Sequence, residues 1–130
     1  MKQVFSEKRV IQLSDVNFGK HLDFAKLVSI IGDSRANLFK SRNIEEINEA
    51  GIGIITSNVS VKYISQVRYG DTITIKFFLD YIKKVRFGFN IEVFKESTLT
   101  AKSSLELATI DYRTEKPCKI PEYILSPLNN

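Results

Sequence analysis

The chain has little of several residues on which staples and metal chemistry depend. Its 130 residues include no Trp, one Met, one Cys and one His. A lone Cys118 excludes an intrachain disulfide, and one Cys with one His falls short of a Cys/His zinc site. No metal centre is therefore expected, and His21 allows at most one His-dependent catalytic device. No run approaches the roughly 18 uninterrupted apolar residues of a membrane span, so no membrane partner is expected. The opening residues, Met1 to Arg9, lack the apolar stretch of a secretory signal. A cytoplasmic location is the expectation.

A strong charge bias is missing as well. Nineteen Lys and Arg face fifteen Asp and Glu, a net charge of +4. Residues 1–65 carry 9 basic and 7 acidic side chains, and residues 66–130 carry 10 and 8, so each half is +2. There is no basic arm or acidic tail, and no nucleic-acid partner is expected. The densest basic group is Lys83, Lys84 and Arg86, either a solvated hairpin end or a site for a few phosphates.

What the chain does have is apolar residues, 43% of the total, with 9 Phe and 5 Tyr. That profile belongs to a folded chain, and the length predicts one domain over residues 1–130. The periodicity predicts its order. Residues 3–12 read as a first strand, and residues 14–21 as a turn-rich break. From Leu22 to about Lys40, Phe24, Leu27, Val28, Ile31, Leu38 and Phe39 recur at helical spacing, with Asp23 as N-cap. Residues 43–49 read as a short second helix, ended at Gly51.

After Gly51 the period becomes two. Val59, Val61 and Tyr63 share one face; so do Ile73, Ile75 and Phe77. Val85, Phe87, Phe89, Ile91 and Val93 follow, then Leu99, Ala101, Ser103, Leu105 and Leu107. Four such strands in succession predict an antiparallel sheet with one buried face, and the long apolar helix is the element available to cover it. Residues 113–130, with Pro117, Pro121 and Pro127, read as an irregular tail in which Cys118 is incidental.

Certain segments resemble a known family. Asp15-Val16-Asn17-Phe18-Gly19-Lys20-His21-Leu22, followed by Asp33-Ser34-Arg35 on the helix, is similar to the loop and helix of 4-hydroxybenzoyl-CoA-thioesterase-like proteins. Val59-Ser60-Val61-Lys62-Tyr63, Tyr69-Gly70-Asp71 and the stretch from Lys116-Pro117 to Ile120-Pro121 agree with it. The resemblance covers residues 3 to about 122. It implies an α+β hotdog fold: a long central helix wrapped by a curled antiparallel sheet of five strands. It also implies a thioester hydrolase acting on an acyl-CoA or acyl-carrier-protein, working as a homodimer or dimer of dimers, with coenzyme A as part of the substrate and no other cofactor.

The family's catalytic positions fall on Asn17, His21 and Asp33. Asn17 stands where an Asp is common, and an amide cannot act as a base. Asp15, Gly19, Lys83, Lys84 and Arg86 are the substrate-binding candidates, the three basic residues for the phosphates of coenzyme A and Arg68 as a lesser one. The carbonyl would be polarised by backbone N–H groups at the start of the helix, near Gly19 to Leu22, and the water activated by a carboxylate. Each residue also has a plainer role open to it. His21 can cap or pack, Asp33 can pair with Lys26 or Arg35, and Asn17 and Asp15 can hold the turn. A non-catalytic hotdog module that binds an acyl or CoA ligand, or serves in assembly, is the alternative.

Overall fold

The computed structural model describes residues 1–129. Its elements run β1 (Lys2–Val10), a single 3-10 turn (Leu13–Asp15), α1 (Phe24–Ser41), β2 (Ile52–Tyr63), β3 (Thr72–Ile82), β4 (Arg86–Lys95), β5 (Thr98–Asp111), β6 (Lys116–Pro117) and α2 (Glu122–Asn129). The sheet is antiparallel throughout, in the order β1-β3-β4-β5-β2, with β6 added beside β5.

The alternation in the sequence sets the register. On one face, Phe89 of β4 pairs with Leu79 of β3 and Leu105 of β5, and Phe77 of β3 pairs with Ile91 of β4. Ile73, Ile75, Phe77, Phe87, Phe89, Ile91, Val93 and Leu107 are almost wholly shielded from solvent. Phe77 and Phe89 meet edge to face at 5.6 Å, and Phe87 and Phe89 at 5.9 Å, which favours one packing of the rings over another. Leu27, Ile30, Ile31, Leu38 and Phe39 of α1 close the same core. The predicted helix therefore forms and buries one stripe against the sheet. It opens at Phe24, directly after the Asp23 N-cap that the sequence marks.

Three expectations need correction. The sheet has six strands rather than five, the sixth being the two-residue β6. Residues 43–49 form no helix; Ile47 instead bridges Gly53, and Ile54 donates to the Glu46 carbonyl, so this stretch lies along β2. The tail is not irregular throughout. Residues 122–129 form α2, which buries Ile124 and Leu128 in the core. Pro121 stands just before the helix, where a missing N–H costs nothing.

Candidate functional site

A cleft of about 340 Å³ opens between the start of α1 and the end of β2. Its walls come from the loop before α1 (Asn17, His21, Leu22), from α1 itself (Phe24, Leu27), and from β2 and the turn after it (Tyr63 to Val67). Thr100 and Ala101 of β5 form the floor. Most of this lining is apolar, and a few polar groups converge on it, the usual make-up of a small-molecule site.

The loop holds its shape through Asn17. The side-chain oxygen of Asn17 accepts the N–H groups of Gly19 (3.0 Å) and His21 (3.3 Å), while its own backbone N–H donates to the His21 carbonyl (3.0 Å). With that oxygen committed, the amide NH2 is the part left to meet a ligand. Lys20, at φ 63°, makes the tight turn. A Cβ at Gly19 would meet the Asn17 side-chain oxygen at 3.4 Å and the His21 ring at 3.5 Å, ordinary contact distances. His21 also bridges Arg68, and Leu22 donates to the Val67 carbonyl (2.7 Å). The Arg68 turn is fixed in turn by Asp71, whose carboxylate accepts the Arg68 N–H (2.8 Å) and pairs with Lys95 (3.1 Å). The backbone N–H of Arg68 is the main cause of the lowering of the Asp71 pKa from its ordinary value.

Asp15 lies beneath this loop, not in the cleft. Its side chain is 4% exposed, and it accepts the Gln12 N–H (2.8 Å) and pairs with Arg9 (3.4 Å). Its carbonyl takes the N–H of Asp23 (2.9 Å), joining the two ends of the loop. Asp33 is elsewhere again. It is 67% exposed on the face of α1 towards β1, where it pairs with Arg9 (3.3 Å). Asp23 commits its carboxylate to the N–H groups of Ala25 (3.1 Å) and Lys26 (3.4 Å). No carboxylate lines the cleft among the described residues, and its titratable side chains are His21 and Tyr63.

The N–H donors differ from expectation too. Those of Gly19, Lys20, His21, Leu22 and Asp23 all have partners within the loop or beside it. The helix opens at Phe24, and after Asp23 has capped the next two donors, the Phe24 N–H is the one left over among the described residues.

The basic group stands apart. Arg86 pairs with Ala108 across β4 and β5, whereas the cleft floor is Thr100 and Ala101 of that same β5. Seven residues of strand separate them, about 23 Å. Arg86 sits 3.6 Å from Glu106, and Lys83 lies over the Tyr81 ring at 5.0 Å. Burial, then the hydrogen bond to Glu106, pushes the Tyr81 pKa up to about 12. Glu106 in turn is held below the usual carboxylate range, chiefly by the bonds from Tyr81 and Ser57.

So the structure brings Asn17 and His21 to the cleft, holds Gly19 beside them in the loop but outside the lining, and leaves Asp15, Asp33, Lys83, Lys84 and Arg86 out of it. Sequence reasoning missed Tyr63, Ser65, Gln66 and Thr100. Tyr63 donates to the Phe24 carbonyl (2.6 Å), closing one side of the cleft, and burial followed by the nearby Asp23 raises its pKa. Ser65 and Thr100 donate their hydroxyls to the carbonyls of Leu99 (3.3 Å) and Val93 (3.0 Å). The alternation marked Tyr63 as inward-facing, but nothing in sequence said that the strand would end beside the helix start.

A family model described as the thioesterase-like superfamily matches residues 11–128. The chain belongs to that superfamily. Among solved structures, the 1,4-dihydroxy-2-naphthoyl-CoA thioesterase from Synechocystis superposes with a TM-score of 0.90 at 14% identity, covering 97% of this chain and 96% of that one. A hypothetical protein from Staphylococcus aureus, solved in complex with CoA, gives 0.91 at 18% identity, covering 99% and 84%. One from Aquifex aeolicus gives 0.88 at 19%, covering 95% and 98%. At these identities the likeness shows the fold, the hotdog arrangement of thioesterases. No curated protein sequence matches the chain.

Proposed function

We propose that this thioesterase-like chain hydrolyses an acyl thioester, of coenzyme A or of an acyl-carrier-protein, in the cleft between the start of α1 and the end of β2. One observation supports this most: His21, the side-chain type that takes a proton near neutral pH, lines an apolar cleft beside the Asn17 amide and the free N–H at the opening of the helix. Imidazole removes a proton from water, and the hydroxide adds to the thioester carbonyl. The Phe24 N–H and the Asn17 NH2 are the donors available to the developing oxyanion. Collapse breaks the carbon–sulfur bond, and the imidazolium returns its proton to the departing thiolate. The apolar walls, Leu22, Leu27, Ile64, Val67 and Ala101, take the acyl group.

The working unit is proposed to be a homodimer joined through β2, or a pair of such dimers. Beyond Ile54, strand β2 has a free edge, and beside it Phe24, Val28, Val59, Tyr63 and Ile64 are large apolar side chains left exposed. Two β2 strands paired antiparallel would bring the partner's basic hairpin to the cleft end of this chain. In that arrangement Lys83, Lys84 and Arg86 can serve the nucleotide phosphates despite their separation within one chain. Asp33 faces β1, away from that edge, and has no part in the step.

The absence of a cleft carboxylate among the described residues favours a second function, a module that binds acyl thioesters without cleaving them. Thiol release from a panel of acyl-CoAs separates the two. The expected result is turnover that His21→Gln lowers by roughly 10²–10⁴-fold and Asp33→Asn leaves intact. Saturable binding with no thiol release from any donor would establish the module instead.

A further inference from the structure

The +4 charge, even along the chain, is uneven in space. Strand alternation sorts the charged residues by face, and the face of the sheet turned away from α1 collects cations. Lys62 of β2 pairs directly with Lys102 of β5; Lys102 pairs with Glu92 of β4, and Glu92 with Lys76 of β3. Lys8 of β1 stands two residues along from the next position, Ser6. Arg86 and Glu106 belong to the same face, as neighbouring alternate positions on β4 and β5. The strands thus place five cations and two carboxylates on this face, a local +3 within a chain of +4.

Arg86 and Glu106 largely answer one another, but the lysines have no such partner. None of Lys8, Lys62, Lys76 and Lys102 has a carboxylate oxygen within 4.0 Å among the described residues. Like charges directly opposite on paired strands are destabilising, so Lys62 beside Lys102 carries a cost, against which the fold sets Glu92 as the one carboxylate in the row. Beside this row runs a second of Ser60, Ser104 and Asn90, all hydrogen-bonding groups. The stripe from β3 to β2 is about 14 Å wide, at the spacing of neighbouring strands.

We propose that this lysine stripe docks an acidic protein, and that the protein is the carrier that brings the thioester. The partner follows from charge and place. Lys62 immediately precedes Tyr63, and Lys102 immediately follows Ala101, so the stripe runs along the far side of the cleft wall. A carrier seated there has its flexible arm at the turn after Tyr63, beyond the joined part of β2 and beside the cleft lining of Ile64 to Val67. Nucleic acid suits the face less well. The stripe has no arginine, and Lys76 lies over the Phe94 ring at 4.9 Å, so the ring nearest the lysines is already covered. The proposal rests on the thioesterase function for the arm's destination, but the docking itself can be measured without turnover.

The test uses a purified acyl-carrier protein, apo and octanoyl-loaded, with the full chain. Binding of labelled apo carrier is followed by anisotropy at low and high salt. Lys76→Gln with Lys102→Gln, both away from the β2 edge, is expected to weaken binding about tenfold and to flatten its salt dependence. Glu92→Gln is expected to tighten it. Release of octanoate from the carrier falls in the double variant, while release from octanoyl-CoA stays within about twofold. Equal affinity in all variants, no saturable carrier binding, or tighter binding of a DNA duplex or an anionic vesicle overturns the proposal. Charge-dependent carrier binding with neither thioester cleaved keeps the docking surface and removes the hydrolase.

Discussion

Three aspartates within twenty residues have three different tasks, and their surroundings assign them. Asp23 is a helix cap, Asp33 half of a surface ion pair, and Asp15 the buried joint of the loop that carries Asn17 and His21. Exposed ion pairs contribute little because water screens them, whereas a buried acceptor that loses its charge leaves its donors poorly matched. Asp15→Asn should therefore lower unfolding stability by about 1–3 kcal/mol, and Asp33→Asn by less than about 0.5 kcal/mol. Urea titrations with an unchanged slope check this. The same contrast bears on the site, since Asp15→Asn loosens the support of His21 and should lower kcat more than it alters KM. The sequence displays all three aspartates but does not tell them apart. What separates them is whether a neighbouring strand supplies Arg9 or a neighbouring turn supplies backbone N–H groups.

At the scale of elements, the periodic ones were legible and the punctuated ones were not. The strands from β3 to β5 bury the alternate residues that their pattern marks, and α1 buries its stripe. Residues 43–49 carry a helical pattern yet run beside β2, because Ile54 and Ile52 supply hydrogen bonds that a lone turn of helix cannot match. Helix α2 went unseen for the opposite reason. Its Pro127 reads as a breaker, but the helix is held by its packing, with Ile124 and Leu128 fully buried. Arg42 reinforces it by donating to the carbonyls of Pro127 and, at 2.6 Å, of Val4, tying α1, α2 and β1 together. Ile124→Ala should thus cost about 2–5 kcal/mol, measured by denaturant unfolding. Because α2 lies outside the cleft lining, KM for any accepted thioester should stay unchanged under conditions where the variant is folded.

At the scale of the whole molecule, one chain presents a cleft at one end of a sheet and its basic hairpin at the other. Counting charges by sequence halves could not reveal this, because antiparallel strands return distant residues to the same end and alternation divides them by face. The long free edge of β2 resolves the geometry. Beyond Ile54, where residues 46–48 no longer lie along it, the unprotected edge of β2 is a template for further pairing, and the apolar side chains beside it would otherwise face water. Mid-helix Gly32 of α1 costs about 1 kcal/mol relative to alanine. A Cβ at that position would meet no atom within 4 Å, so space is kept open above the helix on this side. Light scattering should give at least twice the 14.9 kDa chain mass. Val28→Asp with Val59→Asp, which buries charge in the joined edge, should return the chain to a monomer. That monomer keeps its own His21 and cleft but loses the partner's hairpin. Its KM for acyl-CoA should therefore rise well above its KM for a short acyl-pantetheine, which has no nucleotide phosphates to hold. A monomeric wild type, or equal losses on both substrates, would place the phosphate contacts within a single chain.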